Sequence, residues 1–243
     1  MNQKVALITG AGRELGLGFA TARLLAEQGH HAIVTARSQE QADTRASELR
    51  SLGLDASALV LDLADVDAYA RVARRVEDDF GRLDVLVNNA STMPDMGVRS
   101  MLDVDIREAA NALQVDVVAT WGMTQAFRGL LEASPEGRVV NVSSRVWVLI
   151  PAAGSEVFSP AHAFAKFAVN TLSTSLAGAF TGTRVLVNAV DPGQVATHPE
   201  LGLDPEDVPA AEAARWVAWA ATLPADGPTG GVWFEGEPAP TSF

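Results

Sequence analysis

The stretch Thr9-Gly10-Ala11-Gly12-Arg13-Glu14-Leu15-Gly16-Leu17-Gly18 places glycines and a cation at a spacing suited to holding a phosphate. Glycine permits backbone angles and a close approach that a side chain forbids, and a helix starting just after it offers unpaired N–H groups and a positive dipole end to an anion. The residues before it, Val5-Ala6-Leu7-Ile8, are apolar, and those after it are helix-periodic up to Gly29. The spacing therefore predicts a strand, a glycine turn and a helix, an arrangement that cradles a dinucleotide diphosphate; an ordinary strand-to-helix connection is the plainer alternative. In such a site an acidic residue about 20 positions further on accepts hydrogen bonds from the adenosine ribose and favours NAD. Here Ala36-Arg37 stands there instead. A guanidinium pairs with a 2′-phosphate through a forked contact, and Arg13 approaches the same phosphate from the turn. These residues favour NADPH/NADP, the alternative being that both arginines only solvate the surface.

Such a turn needs a sheet behind it. The chain has 243 residues, 48% of them apolar, and no proline, glycine or charge run divides it. One domain over residues 1–243 is expected. The runs His31 to Ala36, Ala56 to Leu61, Leu83 to Val87, Arg138 to Val142 and Arg184 to Val190 read as further strands, most of them apolar on both faces. That pattern suits a parallel sheet covered by helices above and below. Between the strands, Val66, Tyr69, Ala70, Ala73, Val76 and Phe80 repeat at helical spacing, as do Trp216, Ala220 and Leu223. The expectation is a single-domain α/β Rossmann fold: a doubly wound parallel sheet of about seven strands flanked by helices, with ligands at the carboxyl ends of its strands. Asp204 to Pro209 and Pro224 to Gly231 are turn-rich and read as surface loops. Trp147, Val148, Leu149 and Ile150, just before Pro151, either line an apolar substrate pocket or fill core.

Bulk properties exclude several classes. With 18 basic and 30 acidic residues the net charge is −12, which opposes nucleic-acid binding. There is no cysteine, and Met1-Asn2-Gln3-Lys4 leads into a short strand rather than a long apolar leader, so a cytoplasmic location is expected. No stretch reaches the roughly 18 to 20 continuous apolar residues of a membrane span. Four scattered histidines without cysteine offer no metal cage.

Several separate stretches resemble the short-chain dehydrogenase/reductase family, over nearly the whole chain from Val5 to about Phe234. Thr9-Gly10 with Gly16 is similar to its nucleotide turn, Asp62-Leu63 to its adenine contact, and Asn88-Asn89-Ala90 to its fourth-strand motif. Asn141-Val142-Ser143-Ser144 is similar to its catalytic serine segment, and Asp191-Pro192-Gly193 with Thr197 to its nicotinamide-side loop. Met123 to Phe127, the long connection from Ser144 to Lys166, and the ending Asp226 to Gly231 most resemble its NADPH-dependent carbonyl-reductase-like branch. The resemblance implies cofactor contacts from Gly10, Arg13, Leu15, Gly16, Arg37, Asp62, Leu63, Asn89, Ala90, Lys166, Pro192, Gly193, Val195 and Thr197. It also implies a homodimer or homotetramer packed through the long helices before and after Ser144. In the family a serine orients the substrate oxygen, a tyrosine passes it a proton, a lysine holds the nicotinamide ribose, and an asparagine supports a water relay. Here Lys166 closes a segment reading His162-Ala163-Phe164-Ala165-Lys166, and the sole tyrosine, Tyr69, belongs to an earlier helix. Asp116 aligns with the asparagine, and Glu14 with the middle glycine of the turn.

His162 and Lys166 are four apart, so on a helix they share a face. The ammonium pushes the imidazole below its reference pKa of about 6.5, leaving it mostly uncharged at neutral pH; a carboxylate from Asp116 near either group pushes it back. His162 is then an altered catalyst or a decayed position, and both stay open. Glu14 is repulsive to a diphosphate unless it turns outward or pairs with Arg13 or Arg37. His198, in a loop after Thr197, is a further candidate to face substrate. Two functions follow. One is an NADP(H)-dependent oxidoreductase passing hydride to a small apolar carbonyl or imine, with Ser144, His162, Lys166 and Asp116 as its catalytic set. The other is a non-redox enzyme (elimination, isomerisation or cyclisation) using His162 and Asp116 as an acid-base pair, or a silent nucleotide-binding protein.

Overall fold

The structure, a computed structural model, describes residues 3–144, 156–197 and 207–239. Trp147 to Ile150, His198 and the beginning of the 204–209 loop lie outside them. Eight strands form one sheet: β1 (Val5–Ile8), β2 (His31–Ala36), β3 (Ala56–Val60), β4 (Val85–Asn88), β5 (Arg138–Val142), β6 (Leu186–Asp191), β7 (Val232–Phe234) and β8 (Glu237–Pro238). Their order is β3-β2-β1-β4-β5-β6-β7-β8. The first seven run parallel, as the two-sided apolar runs require, and β8 folds back antiparallel on β7.

The alternation along β1 shows how the layers form. Ala6 and Ile8 point into a core shared with α1 (Leu17–Glu27) and α8 (Ala210–Ala221), while Val5 and Leu7 point into the opposite core. That second core is built from α3 (Val66–Phe80), α5 (Ala119–Ala126) and α7 (Pro160–Ala179). Helix α3 illustrates the local code. Asp65 caps its start by accepting from the Asp67 N–H, Gly81 ends it at φ 66°, and Ala68, Tyr69, Val72, Ala73 and Val76 are buried. Each large apolar side chain so buried contributes about 1.5–3 kcal/mol. Tyr69 is core: its hydroxyl donates to the Leu63 carbonyl at 2.6 Å. Helix α2 (Gln39–Ser51) follows β2, and α6 (Arg128–Ala133) precedes β5.

Three features position the cleft. The chain passes from β1 outward to β2 and β3, then returns to β4 on the other side of β1, so the strand ends part there. Thr9 ties this seam: its hydroxyl accepts from the Asn89 and Ala90 N–H groups, both at 3.0 Å, and Asn89 Nδ2 donates to the Thr9 carbonyl at 2.8 Å. Next, a buried chain of side chains joins sheet to helix. Asn88 Nδ2 donates to Asn141 Oδ1 (2.8 Å), Asn141 Nδ2 to Ser173 Oγ (2.8 Å), and Ser173 Oγ to the Val169 carbonyl (2.7 Å). Last, α4 (Ile106–Ala112) runs through a π-helical segment, Leu113–Val118, into α5. The wider turn carries Asp116, which is buried. Such insertions frequently mark functional sites.

Candidate active site

At the carboxyl ends of the strands lies a cleft of about 1640 Å³. It runs from the glycine turn, past Arg37 and Asp62, to Ser144, His162 and Lys166, with Gly193, Val195 and Thr197 along one wall. Of the residues named from the sequence, Gly10, Arg13, Gly16, Leu63, Asn89 and Ala90 also line it. Leu15, Pro192 and Asp116 do not. Leu15 projects to solvent, Pro192 is buried beyond β6, and Asp116 sits behind Lys166.

The phosphate end is made of backbone. Gly10 has φ +67°, and a Cβ there would stand 2.7 Å from the Ala90 Cβ, so only glycine lets the turn lie against the β4 end. Helix α1 begins at Gly16 with no side chain capping it, and Gly16, Leu17 and Gly18 line the cleft, so its first N–H groups and its positive end face the cavity. Arg13 and Arg37 line this end from the turn and from β2. Glu14 turns outward: its side chain is 71% exposed and its carboxylate lies 3.6 Å from Arg45. The expected repulsion is thereby removed, through Arg45 rather than through either arginine of the cleft. These residues fit a dinucleotide diphosphate.

The other end is a buried polar cluster on three segments. Lys166 Nζ donates to Asp116 Oδ1 at 2.8 Å and to the Val142 carbonyl at 2.9 Å. An ammonium has three protons, so one remains for a ligand hydroxyl on the cleft side. The pair is dry, with side-chain exposures of 4% for Lys166 and 0% for Asp116. Asp116 further accepts from the Ser91 hydroxyl (2.5 Å) and the Thr92 N–H (3.1 Å). Its direct partner is thus Lys166, and no hydrogen bond joins it to His162. Ser143 is structural, its hydroxyl donating to the Lys166 carbonyl at 3.3 Å, while Ser144 lines the cleft.

His162 lies in the first turns of α7. Asp95 holds that helix start by accepting from the Ala161 N–H (2.6 Å) and the His162 N–H (3.4 Å). Before it, Ser159 adopts φ 49°, left-handed without being glycine, and its N–H donates to the Val98 carbonyl. The imidazole Nδ1 lies 3.0 Å from the Thr92 carbonyl oxygen. Burial, and then the Lys166 ammonium, hold the His162 pKa below its ordinary 6.5, against the opposing pull of Asp116, the Thr92 carbonyl and Asp95. Thr92 and Asp95 carry no sequence signal: each meets α7 only through the fold, across 70 and 66 residues.

A parallel sheet with a switch point, a glycine turn under a helix end and paired cationic side chains defines a Rossmann-type nucleotide-binding protein. The chain belongs to the short chain dehydrogenase family, whose pattern matches residues 4–204. It is 38% identical over 213 residues to the cis-4-hydroxycyclohexanecarboxylate dehydrogenase of Sinomonas cyclohexanicum, covering 88% of this chain and 81% of that one. It is 32% identical over 195 residues to the short-chain reductase protein NovJ of Streptomyces niveus, covering 80% and 70%. Among solved structures, a metagenomic short-chain oxidoreductase in complex with NADP superposes with a TM-score of 0.76 at 30% identity, covering 93% of each chain. A Shigella flexneri protein solved with NADP gives 0.84 at 26%, covering 96% and 97%. The protein is therefore an oxidoreductase of this family with a nicotinamide-cofactor fold.

Proposed function

We propose that this protein is an NADP(H)-dependent oxidoreductase moving hydride between its cofactor and a small apolar substrate at the carbonyl or imine oxidation level, with Ser144, His162 and Lys166 as its reacting end. The observation that carries this reading is the single cleft with Arg13 and Arg37 at one end and His162 and Lys166 at the other. Arg37 stands where an NAD-selective carboxylate would, and the protein solved with NADP at 30% identity agrees. The bound cofactor supplies or takes the hydride. Gly10, the α1 N-terminus and the two arginines would hold its phosphates, and Lys166 its nicotinamide ribose through the remaining N–H. Ser144 would donate to the substrate oxygen, and His162 would handle its proton.

The non-redox alternative rests on His162 and Asp116 working as an acid-base pair, and Asp116 already receives hydrogen bonds from Lys166, Ser91 and Thr92. A titration of the protein's tryptophan fluorescence with NADPH and NADH tests the reading. Saturable binding of NADPH at least tenfold tighter than NADH supports it, and silence from both nucleotides overturns it.

We further propose a symmetric homo-oligomer. An apolar groove lies along α5 and α7, lined by Trp121, Phe164, Phe167, Leu172 and Leu176, with Trp121 and Phe164 about half exposed. A second copy packing by a two-fold axis would cover the same patch on both chains. Light scattering of Trp121→Glu against the unaltered protein reads the difference directly.

A further inference from the structure

The proton chemistry of the cleft follows from one contact. A carbonyl oxygen only accepts, so the nitrogen facing the Thr92 carbonyl, His162 Nδ1, carries the proton. An uncharged imidazole has a single N–H; its other nitrogen, Nε2, then bears a lone pair. Nε2 makes no hydrogen bond among the described residues, while His162 lines the cleft with Ser144 and Lys166. We infer that the Thr92 carbonyl locks His162 into the Nδ1–H tautomer and that Asp116 is the positioning residue that holds Thr92 in place, so that the resting site is a proton acceptor that works on a hydroxyl-bearing substrate. This inference rests on the redox reading above and, of the two directions of hydride transfer, assigns oxidation of a secondary alcohol to the carbonyl level.

Asp116 suits that part better than the isosteric amide would. Its two oxygens take protons from three directions: Lys166 and Ser91 on Oδ1, the Thr92 N–H on Oδ2. An asparagine could accept from the first two, but its NH₂ would then confront the Thr92 N–H, donor against donor. Losing that bond frees residues 91–92, and with them the carbonyl that fixes the imidazole. The carboxylate on α4–α5 and the histidine on α7 are thus connected through the backbone of Thr92.

The charged groups around His162 are Lys166 on its own helix, Asp116 on the π-helical segment and Asp95 on the loop after β4. Burial and the lysine prevail, so the neutral form dominates at pH 7. A hydroxyl can donate to Nε2; a carbonyl oxygen there meets lone pair with lone pair until a second proton arrives. In the forward step the alcohol C–H bond breaks with its electron pair going to the oxidised nicotinamide. The O–H bond breaks with its proton going to Nε2, and the C=O bond forms. The alcohol is oxidised to a ketone, the cofactor is reduced, and the imidazolium returns its proton to solvent. The reverse reaction needs the imidazolium, which is scarce above the lowered pKa.

The test begins without cofactor. Nitrogen-15 histidine labelling, with the His162 signals assigned by their loss in His162→Gln, is expected to show Nδ1 protonated and Nε2 bare at pH 7.5. Asp116→Asn is expected to replace that pattern with an averaged pair and to lower kcat for alcohol oxidation about tenfold or more. With NADP and a panel of cyclic secondary alcohols, the oxidation rate is expected to stay level from pH 7 to 9. Reduction of the matching ketones falls about tenfold per pH unit over that range. An Nε2–H tautomer, or an oxidation rate still climbing between pH 8 and 9, overturns the inference even if NADPH binds tightly. The Nδ1–H pattern with neither nucleotide binding instead overturns the redox reading, and the oxidation with it.

Discussion

The two ends of the cleft are built on opposite principles. The phosphate end comes almost wholly from one contiguous stretch, Gly10 to Gly18, with Arg37 added from the end of β2, and works through backbone N–H groups and exposed cations. The proton end draws on residues 91–95, the π-helical turn and the start of α7, and works through buried side chains that have few spare hydrogen bonds. The difference explains where substitution is tolerated. Glu14 brings a carboxylate into the turn and the architecture absorbs it by pointing the side chain outward. No comparable room exists around Lys166 and Asp116, which are almost wholly enclosed.

Breaking the proton end has the largest expected effect. Lys166→Met leaves the Asp116 carboxylate buried without its cation, so unfolding free energy in urea falls by about 3–5 kcal/mol, and hydride transfer is lost. Reversing charge at the phosphate end acts on affinity and leaves the fold intact. Arg37→Asp weakens NADPH binding about 10- to 100-fold, the worth of a charge-assisted contact, and moves preference toward NADH, as calorimetry would record. A smaller effect sits at the junction between the proton end and α7. Ser159 is left-handed at φ 49° and its buried hydroxyl has no partner among the described residues, so Ser159→Gly raises stability by about 1 kcal/mol, read as a higher urea midpoint. Smallest is Glu14→Gly. The contact is long, at 3.6 Å, and its carboxylate is open to solvent, so it contributes at most about 0.5 kcal/mol and the urea midpoint barely moves. A shift above 1 kcal/mol there would erase the contrast between the two ends.

The same contrast governed what the residues disclosed in advance. Strands Val5–Ile8, His31–Ala36 and Arg138–Val142 and helix Val66–Phe80 match the expected spans, because each is a local pattern of apolar spacing. The sheet was expected to have about seven strands, six of them placed by their apolar runs; it has seven in parallel, the seventh being Val232–Phe234, with Glu237–Pro238 as a short antiparallel addition. Val232–Phe234 and Glu237–Pro238 are too short to show a period; neighbours in the sheet define them. The expected starts at Leu83 and Arg184 moved inward to Val85 and Leu186, since an apolar run does not reveal where ladder pairing begins. In the cleft, the glycine turn was legible from spacing alone. The i, i+4 relation brought His162 and Lys166 to one cavity, and Asp116 was considered near either only as a condition on the histidine's charge. Its preference for Lys166, the π-helical turn that delivers it and the Thr92 carbonyl were not legible, because they exist only when segments some 25 to 70 residues apart meet.

The chain Asn88–Asn141–Ser173 has a consequence for motion. Its links are buried and come from two neighbouring strands and the helix that carries His162 and Lys166. Peeling α7 away would strand amide groups inside an apolar layer, a penalty of about 1–3 kcal/mol for each. Helix and strands must therefore open together, and their amide hydrogens exchange with solvent as one cooperative block. The histidine rides on a helix that opens only with the strands beneath it.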